Sequence, residues 1–240
     1  MNTVSYFSLN RMHLEMLEPL NDWRIMDIQG LLSVGKHPYT IKSFRRIIQK
    51  LELLKIIETF RDPYSGKKFV YMSKDGEKLI NKSNSSIALC QETIFHDAKV
   101  SEVARAMSEI NIFTSVHLEH QDNNRFSSNS PDACIRGVKN NKNFIIAYEL
   151  EITRKSKSRV IEKAKYYLKS SKYDYVLYMF CTQQVFESYK KWIQSELGNE
   201  AFNKILLFWN PSIISRNLNL NDGGGYFKNE DQKFNDVFLD

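Results

Sequence analysis

The chain has 240 residues, of which 42% are apolar and 26% charged, so its composition is that of a folded globular protein and not of a disordered, collagen-like or coiled-coil chain. Its three cysteines are far apart and form no CxxC pair, which argues against a disulfide framework and against a zinc finger. The formal net charge of +6 favours a polyanionic partner.

The sequence carries no signal for a membrane. No run of apolar residues reaches the ~18 that a membrane-spanning helix requires. Near the N-terminus, Arg11, His13, Glu15 and Glu18 stand where a signal peptide needs an apolar stretch. We therefore expect a cytoplasmic protein without a membrane span.

Two helices are predicted in the first part of the chain. Apolar residues recur at helical spacing over residues 21–32, and Gly35 and Pro38 end this helix. Thr40 then offers an N-cap for a second helix, which has one apolar face. The outer face of this second helix is basic.

Two short strands are predicted next, over residues 55–60 and 67–72, with a turn from Asp62 to Gly66 between them. A further short helix opens at the sequence Ser-Lys-Asp-Gly. This order, with a Leu-Leu-Lys-Ile-Ile segment between helix and strand, resembles the winged helix-turn-helix family over about residues 21–82.

The resemblance implies that the second helix is a recognition helix for DNA and that the two strands form the wing. The residues that it assigns to DNA contacts are Lys42, Ser43, Arg45, Arg46, Lys67 and Lys68. The alternative is that the basic helix face is a solvated surface of a module that binds protein.

A polar run at residues 81–86 separates two regions of different pattern. We therefore expect a DNA-binding domain at residues 1–82, a linker at 83–92 and a second domain at 93–240. The second domain is predicted to contain helix 98–110, strands 113–119, 132–138 and 144–152, helix 157–169, strand 173–181, helix 185–197 and strand 204–209. This order predicts a mixed sheet flanked by helices, followed by a loop from Gly223 to Gly225.

Two carboxylates interrupt the apolar strand at residues 144–152. Glu149 and Glu151 are two residues apart, so the period of a strand places both on one face, ~7 Å apart. Two like charges at the end of a covered strand are unfavourable unless a cation lies between them, which favours a divalent metal. Hairpin pairing brings Asp132 to the same edge. The alternative is a pair of solvated acids that bind Lys155 or Arg159.

These acids, followed by a basic helix, resemble the PD-(D/E)xK nuclease superfamily over about residues 96–209. The resemblance makes Asp132 and Glu149 the acidic ligands of Mg²⁺ or Mn²⁺. The last motif position, normally lysine, is Glu151 here, a third acid that can bind metal or act as a base. Lys163 on the following helix would then supply the missing cation, with Tyr167 supporting the site. Otherwise Lys163 is an ordinary exposed lysine.

The first helix of the second domain adds further candidates, because this superfamily often draws an extra acid from that helix. His96 and Asp97 precede it and Glu102 lies within it. With the later Pro-Asp-Ala and Glu-Leu-Glu segments behind a winged helix, they resemble the MobC-type plasmid relaxases and the related replication-relaxation proteins. The resemblance implies a catalytic role for His96 and metal binding by Glu102. Alternatively, Asp97 is a helix N-cap and Glu102 a surface residue.

Other motifs narrow the chemistry. His117 and His120 would point to opposite faces of a strand, so they form no metal pair. The sequence contains no glycine-rich loop for nucleotides or dinucleotides. Twelve tyrosines leave a covalent tyrosine–DNA intermediate open.

A basic segment follows the acidic strand. Residues 154–172 include eight lysines and arginines and a single acid, Glu162. Such a segment predicts a phosphate-contacting surface. The residues expected to make these contacts are Arg154, Lys155, Lys157 and Arg159.

The sequence thus predicts an α+β chain in which a winged helix-turn-helix is followed by a PD-(D/E)xK-like α/β domain. The predicted activity is that of a metal-dependent DNA nickase, a relaxase of a mobile element that cleaves one strand at an origin of transfer. Its expected partners are DNA, duplex and single-stranded at the origin, and accessory mobilisation and coupling proteins. The alternatives are a catalytically inactive DNA-binding regulator of plasmid replication or mobilisation, and an ordinary restriction- or repair-type endonuclease.

Overall fold

A computed structural model describes residues 9–35, 37–79, 89, 92–118 and 130–239. The chain divides into two compact units, unit 1 (Met1–Ser101) and unit 2 (Glu102–Asp240). The division falls within a helix at Ile94–Ser108. The linker predicted at residues 83–92 lies outside the described residues except for Leu89 and Glu92.

Unit 1 contains short helices and a small antiparallel sheet. The helices are α1 (Arg11–Glu15), α2 (Pro19–Trp23), α3 (Ile28–Val34), α4 (Ile41–Leu53), α5 (Lys74–Leu79) and the first half of α6 (Ile94–Ser108). The strands are β1 (Ile25–Asp27), β2 (Ile57–Arg61) and β3 (Lys68–Met72), in the order β1-β3-β2. Buried apolar residues from the helices and strands form a common core.

The single helix predicted over residues 21–32 is wrong. Arg24 has a φ of 60°, a left-handed conformation that ends α2. Strand β1 follows and pairs with β3, and its last residue, Asp27, caps α3 by accepting a hydrogen bond of 2.9 Å from the backbone N of Gly30. All three residues of β1 are buried, so apolar spacing did not distinguish this strand from a helix.

Helix α4 begins where the sequence predicts. The hydroxyl of Thr40 accepts a hydrogen bond of 3.2 Å from the backbone N of Ser43 and so caps the helix. Phe44, Ile48 and Leu51 of α4 are buried in the core of unit 1, whereas Leu53 near the end of the helix is 83% exposed. The basic side chains therefore face outward.

Strands β2 and β3 form the predicted hairpin, and its turn is fixed by a buried carboxylate. Asp62 accepts a hydrogen bond of 2.8 Å from the backbone N of Tyr64 and another from the hydroxyl of Ser65. The Nζ of Lys99 on α6 lies 2.9 Å from the Oδ2 of Asp62, and both side chains are fully buried. An ion pair thus fastens the turn to α6.

Unit 2 is built on a seven-stranded mixed sheet. Its strands are β4 (Phe113–Leu118), β5 (Ala133–Lys139), β6 (Lys142–Glu151), β7 (Tyr175–Phe180), β8 (Ile205–Trp209), β9 (Gly224–Phe227) and β10 (Glu230–Gln232), in the spatial order β10-β9-β8-β7-β6-β5-β4. Strands β6, β7 and β8 are parallel to one another, and the other neighbouring pairs are antiparallel. The helices are α7 (Lys157–Lys169), α8 (Gln183–Leu197) and α9 (Phe234–Phe238), with 3-10 turns at Asn199–Asn203 and Pro211–Ile214. The predicted mixed sheet flanked by helices is confirmed.

The loop predicted from Gly223 to Gly225 is wrong for its last two residues. They begin strand β9, which pairs antiparallel with β8. A Cβ atom on Gly225 would lie 2.3 Å from the ring of Phe208, so the two strands pack closely only because glycine has no side chain.

Helices α7 and α8 cover one face of the large sheet. A buried cluster joins Ala147 of β6 and residues of β7 to Tyr167 of α7 and Tyr189 of α8. Because alternate residues of a strand share a face, Glu149 and Glu151 lie on the same covered face as Ala147. The helices therefore enclose the two acids.

Among the described residues, no helix combines the length and the apolar character needed to cross a membrane.

Candidate active site

Two acids meet where β5 and β6 run side by side. The antiparallel register pairs Ala133 with Tyr148, so Asp132, one residue earlier, lies opposite Glu149. The Oδ2 of Asp132 accepts a hydrogen bond of 2.7 Å from the backbone N of Leu150. This bond holds the Asp132 side chain against β6 just before β5 begins.

Glu149 is the centre of the cluster. It is 2% exposed, and its Oε1 accepts a hydrogen bond from the hydroxyl of Tyr167. The Nζ of Lys163 lies 2.7 Å from its Oε2. Lys163 and Tyr167 are one turn apart on α7, so a single helix face supplies a partner to each carboxylate oxygen. Lys163 is therefore not an ordinary exposed lysine.

Glu151 is also buried, at the end of β6. Its Oε2 and the hydroxyl of Tyr189 on α8 have no hydrogen-bond partner of normal geometry among the described residues. The two groups are nevertheless near enough that the Tyr189 hydroxyl lowers the pKa of Glu151. The alternative of solvated acids is wrong for both Glu149 and Glu151.

The charges in this cluster act on one another. The pKa of Glu149 is raised to about 8, first because the carboxyl is buried and then because Asp132 is near, while Lys163 and Tyr167 act in the opposite direction. Burial also raises the pKa of Glu151. Burial disfavours the charged form of Lys163, but Glu149, Asp132 and Glu151 outweigh it and raise the pKa of the ammonium. Three carboxylates thus act on the partly buried Lys163, and Lys155 also lowers the pKa of Glu151.

Two further predicted site residues lie on α6. His96 belongs to unit 1, where its Nδ1 is 3.7 Å from the Oδ1 of Asp97. Asp97 is not the N-cap of α6, which begins at Ile94, and its Oδ2 lies 3.5 Å from the Nη1 of Arg24. Glu102 is the first residue of unit 2 and is buried, so it is not a surface residue. The catalytic role of His96 and metal binding by Glu102 stay predictions.

The carboxylates suit a small, hard cation that is bound partly by water. Within the described residues, no three His, Cys, Asp or Glu side chains form a group that could hold a metal by themselves, so the predicted four-acid set with Glu102 is not found as one site. Mg²⁺ keeps several waters and needs only one or two carboxylates. Asp132 and Glu149 supply that pair, and Glu151 adds a buried oxygen without a hydrogen bond of normal geometry. The donor set therefore fits Mg²⁺ or Mn²⁺.

The basic face predicted on α4 is exposed to solvent. Lys42, Arg45 and Arg46 are all exposed. Ser43 is exposed as well, but its backbone N and its hydroxyl are hydrogen-bonded to the side chain of Thr40. The three basic side chains therefore form a surface that a phosphate backbone can reach.

Some of the other predicted contact residues are held by ion pairs. The Nζ of Lys68 lies 2.6 Å from the Oε2 of Glu52, and the Nζ of Lys157 lies 2.5 Å from the Oε1 of Glu196. Lys67 is partly buried. The positive charges of Lys68 and Lys157 are thus partly offset by neighbouring carboxylates.

The loop after β6 leads to a small basic and aromatic surface. The guanidinium carbon of Arg154 lies 5.8 Å from the centre of the Trp192 ring on α8, a cation–π arrangement. Arg159 is exposed in the first turn of α7, while Lys155 is partly buried. Of the predicted phosphate contacts in the basic segment, Arg154, Lys157 and Arg159 are thus exposed, and Lys157 is paired with Glu196.

One residue that borders the acids, Tyr178, has no specific role in the sequence-based predictions. Tyr178 of β7 lies in parallel register with Glu149, and its buried hydroxyl has no hydrogen-bond partner among the described residues. Alternation along β7 places Tyr178 on a covered face. That β7 is the neighbour of β6 depends on the tertiary fold, so the local sequence could not bring Tyr178 to Glu149.

Position alone assigns no function to the described side chains around Glu149. Comparison with known proteins adds no relative, since no family model, no curated protein and no solved structure matches the chain.

Proposed function

We propose that this protein is a metal-dependent DNA endonuclease that nicks one strand, in the manner of a mobile-element relaxase with a winged helix and a PD-(D/E)xK-like nuclease domain. The observation that carries the proposal is that Asp132, immediately before β5, lies opposite Glu149 of β6, with the Nζ of Lys163 2.7 Å from Glu149. Two acids that can bind a metal and a nearby lysine are groups that can support metal-assisted phosphodiester cleavage.

Each residue of the cluster has a separate task. Asp132 and Glu149 would hold Mg²⁺ or Mn²⁺, which when bound activates water and neutralises charge on the phosphate. Lys163 would stabilise the negative charge that develops on the phosphate, in place of the lysine that the motif lacks. Glu151, whose pKa is raised by burial, is suited to accept the proton of the attacking water. Tyr167 keeps Glu149 in position.

The nucleophile that fits this surrounding best is water. The tyrosines beside the acids, Tyr148, Tyr167, Tyr178 and Tyr189, are each no more than 1% exposed. A scissile phosphate cannot reach a hydroxyl that is enclosed in this way. Burial also raises the pKa of each of these hydroxyls, which makes the phenolate rarer. We therefore infer hydrolysis, without a covalent tyrosine–DNA intermediate at these positions.

DNA binding is proposed for the exposed basic face of α4, with Lys42, Arg45 and Arg46 as its contacts. Arg154 and Arg159 of unit 2 would contact phosphates near the scissile bond. These surfaces give binding, and the acids give cleavage. The two functions can therefore be separated by substitution.

The test is the nicking of a supercoiled plasmid that carries the origin region of the encoding element, with Mg²⁺ or Mn²⁺ supplied. We expect wild-type protein to produce the open-circular form, and Asp132→Asn and Glu149→Gln to reduce the rate at least about a hundredfold while DNA binding is retained. Glu162→Gln is the matched control, because Glu162 is an exposed acid next to Lys163 on α7. Equal nicking by all of these proteins would refute the assignment.

A catalytically inactive DNA-binding regulator is the second candidate. Two observations favour it: both oxygens of Glu149 are occupied by Tyr167 and Lys163, and the motif position of the lysine is Glu151. A regulator would bind the origin with the same affinity in EDTA and in Mn²⁺ and would leave the plasmid supercoiled. Nicking of plasmids regardless of sequence would instead indicate an ordinary endonuclease.

A further inference from the structure

We propose that Lys163 is an exchangeable counter-ion of Glu149. Its ammonium occupies the carboxylate oxygen that a divalent cation needs, so that binding of the cation frees Lys163 to face the substrate. This inference rests on the proposed metal site and assigns it a form of regulation. It predicts that the lysine weakens cation binding even though it is needed for cleavage.

Each carboxylate oxygen of Glu149 already has a donor. The hydroxyl of Tyr167 donates to Oε1, and the Nζ of Lys163 lies 2.7 Å from Oε2. The carboxylate is enclosed between β6 and α7, with its side chain 3% exposed. Because so little of the side chain is exposed, a cation that binds Glu149 needs the space that one of these two partners takes up.

Of the two partners of Glu149, only Lys163 can leave. Tyr167 is fully buried, and its ring packs against the rings of Tyr166 and Tyr173, with centroid separations of 5.3 and 5.8 Å. The side chain of Lys163 is 22% exposed, so its flexible stem has an open path to solvent. The structure thus makes Tyr167 the fixed partner and Lys163 the replaceable one.

Electrostatic repulsion between the two cations also favours the departure of Lys163. An ammonium and a divalent cation repel each other, and at ~4 Å this repulsion is strong even at an effective dielectric constant of ~20. Asp132, the other proposed ligand, is held against β6 by the backbone N of Leu150 and stays in place. At Glu149 the divalent cation therefore replaces the ammonium of Lys163, and the carboxylates do not move.

One experiment measures cation binding in the absence of DNA. Mn²⁺ is titrated calorimetrically into wild-type protein, Lys163→Met and Lys165→Met, the last being a matched control because Lys165 is exposed on the same helix. We expect Lys163→Met to bind Mn²⁺ at least about tenfold more tightly than the other two proteins. Equal or weaker binding by a folded Lys163→Met protein would overturn the exchange.

A second experiment uses only wild-type protein, in case Lys163→Met does not fold. Lysines are acetylated briefly with an N-hydroxysuccinimide ester, with and without saturating Mn²⁺, and each site is quantified by mass spectrometry. Labelling of Lys163 should rise several-fold with Mn²⁺ because its ammonium is released from Glu149, while labelling of Lys165 should not change. Unchanged labelling of Lys163 would contradict the proposal.

The outcomes separate the two claims. If wild-type protein binds Mn²⁺ and nicks DNA but Lys163 stays protected, the nuclease assignment stands and the exchange is wrong. If neither wild-type protein nor Lys163→Met binds Mn²⁺, the metal site and the exchange are both wrong. Weaker Mn²⁺ binding by Glu149→Gln than by wild-type protein would identify the calorimetric signal with this site.

Discussion

Lys163 on α7 and Glu149 on β6 are fourteen residues apart in the chain, yet the Nζ of Lys163 lies 2.7 Å from the Oε2 of Glu149. This contact links the strand that carries the acids to the helix that follows it. It places a cation beside the buried acids.

Tyr167→Phe removes the hydroxyl that donates to Glu149 and keeps the aromatic ring in the core. Because this hydrogen bond lowers the pKa of Glu149, its loss should raise that pKa and move the acid limb of the nicking profile to higher pH. A hydrogen bond to a charged group is worth about 1.5–3 kcal/mol, so the rate at neutral pH should fall about ten- to a hundredfold. The measurement is the nicking rate against pH in Mn²⁺.

The control for this variant is Tyr166→Phe. Tyr166 is the neighbouring residue on α7 and is 38% exposed, so loss of its hydroxyl should leave the profile unchanged. Coincident profiles for wild-type protein and Tyr167→Phe would show that the hydroxyl of Tyr167 does not act on Glu149.

Stability should depend on pH through Glu149. Its pKa in the folded protein, about 8, lies above the ordinary value of 4.5, so between these values the folded state binds more protons than the unfolded state and stability falls as pH rises. Glu149→Gln has no proton to lose. The free energy of unfolding of wild-type protein minus that of the variant should therefore decrease from about pH 5 to about pH 8 in urea titrations. A difference that grows over this range would have the wrong sign.

The pair of Lys99 and Asp62 should be important for the stability of unit 1, because both side chains are fully buried. Lys99→Met leaves Asp62 as an uncompensated buried charge, and such a change typically costs about 3–5 kcal/mol. Lys78→Met is the matched control, since Lys78 pairs with Asp75 at the exposed surface. Urea unfolding should show a large loss for the first variant and almost none for the second. Similar losses in both would show that burial of the pair is unimportant.

The DNA-binding surfaces should differ in what they contribute. Replacing Arg45 and Arg46 of α4 by alanine should reduce discrimination between origin and random duplex, each lost base contact costing about 1–3 kcal/mol. Arg159→Ala should weaken binding to all DNA and reduce the salt dependence by about 0.7–0.9 in slope. Fluorescence anisotropy at several salt concentrations measures both effects. Equal losses on origin and random DNA from the α4 variant would exclude α4 as a recognition helix.

Local patterns predicted part of the site and of the fold. The period of a strand placed Glu149 and Glu151 on one face, and hairpin pairing brought Asp132 beside Glu149, because both relationships depend on neighbouring segments. The N-cap at Thr40 was predictable for the same reason. These features are set by short-range geometry, which a sequence displays directly.

Long-range packing explains what the sequence did not predict. The depth at which Glu151 is buried depends on how α8 crosses the sheet, and the pairing of Lys99 with Asp62 joins residues of different elements. The left-handed backbone of Arg24 interrupts an otherwise helical apolar pattern. Gly224 and Gly225 belong to a strand because β8 accepts them as an antiparallel neighbour. Each of these features requires knowledge of a partner that lies elsewhere in the chain.

The most direct test of the metal-dependent site is anomalous diffraction at the manganese edge from crystals of the protein grown with Mn²⁺. We expect an anomalous peak between the carboxylates of Asp132 and Glu149. The Nζ of Lys163 should be withdrawn from Glu149, and the hydroxyl of Tyr167 should still be bound to Glu149. An empty site, with Lys163 still bound to Glu149 at saturating Mn²⁺, would contradict the account and favour the DNA-binding regulator.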